Sequence, residues 1–169
     1  MAGRRTLRGR GTDGRLRVRA EDGAVRLSAA ELGAGPGGSG STGSGPGGAD
    51  PGGAGRRLGA RATLVQFSSA FCQPCRATRR VLAEVAAMVD GVAHVEVDAE
   101  ERLDLVRRLE ILKTPTVLVL DAAGRVVRRA VGQPRRVDVI AALGEAVHRN
   151  EQAARTGPGA GPDGDGQPS

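Results

Sequence analysis

The sequence predicts an α/β domain over residues 57–150, a central mixed β-sheet flanked by helices, with a Gly-rich linker and tails read as disordered. Three observations lead there. Apolar runs of strand length alternate with segments of helical period in the order β-α-β-α-β-β-α. Apolar residues make up 39% of the chain but aromatic residues only 1%, so the core must be aliphatic. The 27 glycines and 9 prolines concentrate outside the periodic region.

Residues 1–14 are Arg/Gly-rich without apolar period and are read as a disordered basic leader. Residues 15–32 alternate around a turn at Glu21-Asp22-Gly23, which predicts one short strand or a weak hairpin. Ser28-Ala-Ala-Glu31 has the spacing of a capping box, so a brief helix follows and Gly33 ends it. Residues 33–56 hold too little apolar area to offset the entropy of ordering and are assigned as a flexible linker.

Thr63–Phe67 reads as a buried strand, and Ser68–Phe71 as a loop leading to Cys72. From Cys75, helical spacing puts Val81, Leu82, Val85, Met88 and Val89 on one face, and Gly91 closes that helix. Val92–Val97 alternates as a strand, and Glu100–Leu109 is a short helix. Thr116–Leu120 is a buried strand, Asp121–Gly124 a turn, and Val126–Val131 its antiparallel partner. Pro134 opens a last helix with Val137, Ile140, Leu143 and Val147 inward. The helical crossovers predict parallel pairing of the first three strands. Residues 151–169 are assigned to a disordered tail.

The net charge of +6 resides in the leader: residues 1–19 carry seven Arg and one Asp, and the rest of the chain balances to zero. A nucleic-acid-binding domain would carry such charge on a folded face, so no nucleic acid is expected. No apolar run is long enough to span a membrane, and no hydrophobic stretch follows the basic start. The default compartment is a reducing cytoplasm.

The two cysteines, Cys72 and Cys75, form a C-x-x-C pair where a strand gives way to a helix. Unpaired N–H groups at a helix start stabilise a thiolate, which makes Cys72 the natural nucleophile. Cys75, one turn further in, is the resolving thiol, and Pro74 fixes the backbone between them. A structural zinc site normally needs four ligands. Only His94 and His148 could join the cysteines, and neither spacing matches a finger, so no metal or cofactor is expected. An incidental pair without chemistry is the other rival.

Thr63–Leu143 resembles the thioredoxin family. Phe71-Cys-Gln-Pro-Cys75 is similar to its W-C-G-P-C motif, Lys113-Thr-Pro-Thr-Val117 to its I-P-T strand entry, and Asp121–Arg125 with Val131-Gly132 to its last hairpin. The resemblance implies a thioredoxin fold, a cis Pro115 facing the cysteines, and a Thr114 backbone offered to a substrate peptide. It assigns Cys72 and Cys75 as catalytic, and Phe71, Gln73, Pro74, Thr114 and Pro115 as substrate-binding. Three departures stand out. Gln66 replaces a buried Asp, Phe71 a Trp, and Gln73 a Gly. His94 lies near where the family often has Lys, and reads as a hydrogen-bonded strand histidine rather than a substitute proton carrier.

The implied activity is reduction of protein disulfides, with disulfide-containing proteins as partners and a thioredoxin reductase as electron donor. Two alternatives stay open: a non-catalytic binding or redox-sensing module, and an envelope thiol protein whose membrane anchor lies outside this sequence.

Overall fold

The computed structural model describes residues 14–17, 22–33 and 58–156. The readings of 1–13, 34–57 and 157–169 as leader, linker and tail lie outside the described residues. The elements are α1 (Ala29–Gly33), β1 (Ala62–Ser68), α2 (Gln73–Met88), β2 (Val92–Asp98), α3 (Leu103–Arg108), β3 (Thr116–Asp121), β4 (Val126–Val131) and α4 (Arg136–Arg155). The order from β1 onward is the expected one, and the mixed sheet runs β2-β1-β3-β4.

β1 is parallel to β2 and antiparallel to β3, which is antiparallel to β4. The expectation that all of the first three strands run parallel is therefore wrong at β3. Element length explains it. The 16 residues of α2 rise about 24 Å, enough to carry the chain back along a strand. The six residues of α3 rise about 9 Å, far short of the roughly 23 Å of a seven-residue strand. The chain thus leaves β2 beside Ser68 and starts β3 beside Phe67, at the same end of the sheet.

All of β1 is buried, because helices cover both of its faces. Leu64, Val117, Val119 and Val127 meet Leu82 and Val85 of α2 and Val139, Leu143 and Ala146 of α4. On the other face, Val65, Phe67, Val95, Val97 and Leu118 meet Leu105 and Leu109 of the α3 region and Leu27 and Leu32 of the N-terminal segment.

Several boundaries differ from expectation. α3 begins at Leu103, not Glu100. α4 begins at Arg136, two residues beyond Pro134, and runs to Arg155, so residues 151–155 belong to the helix and not to a tail. Val137 and Ile140 face solvent, at 66% and 41% exposure, and Met88 is also exposed. Leu143 and Val147 face inward as expected, and Val139, Ala142 and Ala146 complete the inward stripe of α4. Its alanines carry the helical period without adding hydrophobic bulk, so a search for large side chains misplaces the first two turns while keeping Leu143 and Val147.

Residues 14–33 form neither a strand nor a hairpin among the described residues. Two isolated antiparallel bridges, Arg17 to Arg129 of β4 and Arg26 to Arg125 just before it, lie along that edge of the sheet. Among the described residues, both arms pair with the β4 edge rather than with each other. The capping box is present: the Ser28 hydroxyl accepts the Glu31 N–H at 3.2 Å, and the Glu31 carboxylate accepts the Ser28 N–H at 2.7 Å.

Candidate functional site

The C-terminal ends of β1 and β2 and the start of β3 converge on one end of the sheet. There Cys72 is the N-cap of α2 and Cys75 lies in its first turn, with Pro74 between them in the position where a missing N–H costs nothing. The two sulfurs form a disulfide, with the Cα atoms 5.2 Å apart. The Cys75 N–H donates to the Cys72 sulfur at 3.2 Å, as a helix donates to an N-cap side chain. Cys72 is half-buried, whereas Cys75 is only 2% exposed. The first turn of α2 contains no acid.

Phe71 is 97% exposed immediately before the pair. Gln73 and Pro74 are exposed on the same turn. Thr114–Pro115 is a cis peptide, and Pro115 is buried. The loop holding it is tied to the cysteine loop by a hydrogen bond of 3.0 Å between the hydroxyls of Ser69 and Thr114. Gly132, just beyond β4, donates its N–H to the Pro115 carbonyl at 2.8 Å. The structure thus brings all seven residues singled out in the sequence to one end of the sheet.

Beneath the disulfide, Gln66 is fully buried and its Nε2 donates to the Cys75 carbonyl at 2.8 Å, while its Oε1 has no partner. His94 differs from the reading as a hydrogen-bonded strand histidine. Its Nε2 is buried without a partner, and burial lowers its pKa from 6.5 to about 4. Leu64 stands opposite it on β1 and offers no side-chain donor.

Sequence reasoning missed a charged cluster on the same face. Glu96, in register with Gln66, accepts hydrogen bonds from Ser68 at 2.5 Å and from Arg79 of α2 at 2.6 Å. Burial alone would raise the Glu96 pKa, but the Arg79 and Ser68 hydrogen bonds outweigh it and leave the pKa lowered. The usable signal was alternation: Glu96 shares a face with His94 on β2, and Arg79 lies four residues after Cys75. Ser69 carried no such signal. Among the described residues, no group of three or more His, Cys, Asp or Glu could hold a metal ion. Nor is any described helix long and apolar enough to cross a membrane.

A dithiol–disulfide pair capping a helix, beside a cis-proline loop on a mixed sheet, defines a thiol–disulfide oxidoreductase domain. Residues 57–145, more than half of the chain, match the thioredoxin family model, and the chain belongs to the thioredoxin family. It is 35% identical over 79 residues to a thioredoxin of Alicyclobacillus acidocaldarius subsp. acidocaldarius, covering 46% of this chain and 74% of that one. Among solved structures it resembles chloroplastic thioredoxin z at 28% identity, with a TM-score of 0.46 over 52% of this chain and 79% of that one. It also resembles a thioredoxin from Trypanosoma brucei brucei, at 20% identity and a TM-score of 0.46 over 53% of this chain and 78% of that one.

Proposed function

We propose that the protein is a protein-disulfide reductase of the thioredoxin type, working in the reducing cytoplasm. The asymmetry of the two sulfurs carries this reading: Cys72 is reachable at a helix N-cap, and Cys75 is enclosed behind it. In the reduced protein the Cys75 N–H and the open end of α2 favour a thiolate on Cys72. That thiolate attacks one sulfur of a substrate disulfide. The other substrate sulfur leaves as a thiolate and takes up a proton. Cys75 then loses its proton and attacks the Cys72 sulfur, which releases the second substrate thiol and closes the Cys72–Cys75 disulfide. The substrate gains two electrons and two protons. A thioredoxin reductase returns them to the protein.

Phe71, Gln73 and Pro74 form one side of the proposed substrate seat, and Thr114 and Pro115 the other. The main chain of Thr114 makes no backbone hydrogen bond among the described residues, which leaves it for an extended peptide. Cys72→Ser should abolish reduction of a protein disulfide. Cys75→Ser should attack normally and accumulate mixed disulfides. Equal trapping by the two variants would sink the assigned order. Gln66 favours a second reading, a redox-sensing module, because it gives Cys75 no ionisable neighbour at that position. Multiple turnovers with an added reductant would exclude it, and a single slow turnover would favour it.

A further inference from the structure

The cations at the rim of the disulfide have no structural use within the fold. Arg76 and Arg80 lie four residues apart on the exposed face of α2, Lys113 precedes the cis peptide, and Arg135 caps α4. All four are exposed, and no hydrogen bond or ion pair engages any of their side chains among the described residues. Arg76 is also misplaced for folding, because cations near a helix N-terminus oppose the macrodipole, and no acid in that first turn offsets it.

Their positions surround the seat. Arg76 follows Cys75 directly, Lys113 is two residues before Pro115, and Arg135 follows the Gly132 loop that is bonded to the Pro115 carbonyl. Asp98 ends β2, and Glu100 and Glu101 follow it, at the same end of the sheet but on the opposite side of β1 from β3 and β4. Asp138, in the first turn of α4, is half-buried.

We propose that this rim is a docking surface for acidic polypeptide, and that the preferred substrates carry Asp and Glu around the reducible disulfide. The inference rests on the reductase reading above and names its substrate class. Unneutralised charge of one sign around a site raises the encounter rate of oppositely charged partners, and salt removes the effect. Nucleic acid fits less well. Single strands bind by stacking on aromatic platforms, and this rim offers only Phe71, since the chain's other Phe, Phe67, is buried. Exposed Leu112 beside Lys113 adds apolar surface suited to a peptide side chain.

The test uses three disulfide-linked peptides with acidic, neutral and basic flanks, reduced by the full chain at low and high salt. The acidic peptide should be reduced roughly tenfold faster than the basic one at low ionic strength. The ratio should fall toward one near 1 M salt, where the screening length is about 3 Å. The triple variant Arg76→Gln, Lys113→Gln, Arg135→Gln should lower the ratio. A ratio of one or less at low salt, or one that the triple variant does not change, would overturn the proposal. So would tight binding of a single-stranded RNA with no preference among the peptides. Failure to reduce even the neutral peptide would count against the reductase reading alone. The docking surface would then be judged by whether the acidic peptide, with its cysteines replaced by serine, binds more tightly than the basic one.

Discussion

Gln66 decides how Cys75 can lose its proton. The amide donates to the Cys75 carbonyl and cannot take a proton near neutral pH. A carboxylate there would have its pKa raised by burial and could accept that proton. Gln66→Asp should therefore speed release of the mixed disulfide near pH 7, read in single-turnover reduction of a protein disulfide. It should also cost about 1–3 kcal/mol in chemical denaturation, as an ionisable group enters an apolar site. No change in rate or stability would contradict the assigned role. His94 gives a separate pH signature. Its folded pKa is lowered to about 4 from 6.5, so between these values the unfolded chain binds more protons. Stability should be undiminished by this group above pH 6.5 and fall as pH drops toward 4, by up to about 3 kcal/mol. His94→Leu should flatten the curve between pH 6.5 and 4.5. Glu31 titrates below that window, with its pKa held near 2 by hydrogen bonds from the Ser28 backbone and Arg108. Alternation along β1 and the family motif made the position of Gln66 under Cys75 legible in advance. The orphaned His94 nitrogen was not legible, because it depends on what faces it from β1 and α2.

At the scale of elements, period and length are legible where bulky residues carry them and misleading where alanines do. The strands and the order of the elements follow from apolar runs and turn residues alone. The facing of α4 does not, because Ala142 and Ala146 lie inward while Val137 and Ile140 lie outward. Strand direction at β3 is misread for a related reason: a helical period between two strands signals a crossover, but α3 is too short to return the chain. The two valines near the start of α4 turn the corrected face into a measurement. Val139 is fully buried against the sheet, so Val139→Ala removes two buried carbons and leaves a cavity, at about 2 kcal/mol. Val137→Ala should stay within about 0.5 kcal/mol of the parent, as exposed substitutions do. Urea denaturation of both variants reads the difference, and equal costs would restore the inward facing first expected for Val137.

For the whole molecule, the question is whether residues 14–33 are an appendage or part of the domain, and their buried chemistry argues for the latter. Asp22 and Arg129 are 2% and 5% exposed and pair at 2.8 Å, and Arg129 also donates to the Leu109 carbonyl at 2.6 Å. Arg102 reaches the Glu31 carbonyl, and Arg108 the Glu31 carboxylate. Leu27 and Leu32 complete the core over Leu105 and Leu118. None of this was legible in the sequence, where the segment is separated from the rest by residues 34–57, rich in Gly and Ser. A chain starting at residue 58 would strip Arg129 of both its Asp22 partner and the segment that lies over it. It would also lose two buried leucines, at roughly 1.5–3 kcal/mol each. The leucines together reach the lower end of a typical domain's stability, about 5–15 kcal/mol. That chain should show no cooperative thermal transition. Asp22→Asn alone should cost several kcal/mol, whereas Asp22→Leu with Arg129→Met should recover most of it, because replacing both partners removes the buried charge. If instead the chain from residue 58 melts cooperatively at the temperature of the full chain, the N-terminal segment is dispensable, and the buried pair contributes nothing that its loss would reveal.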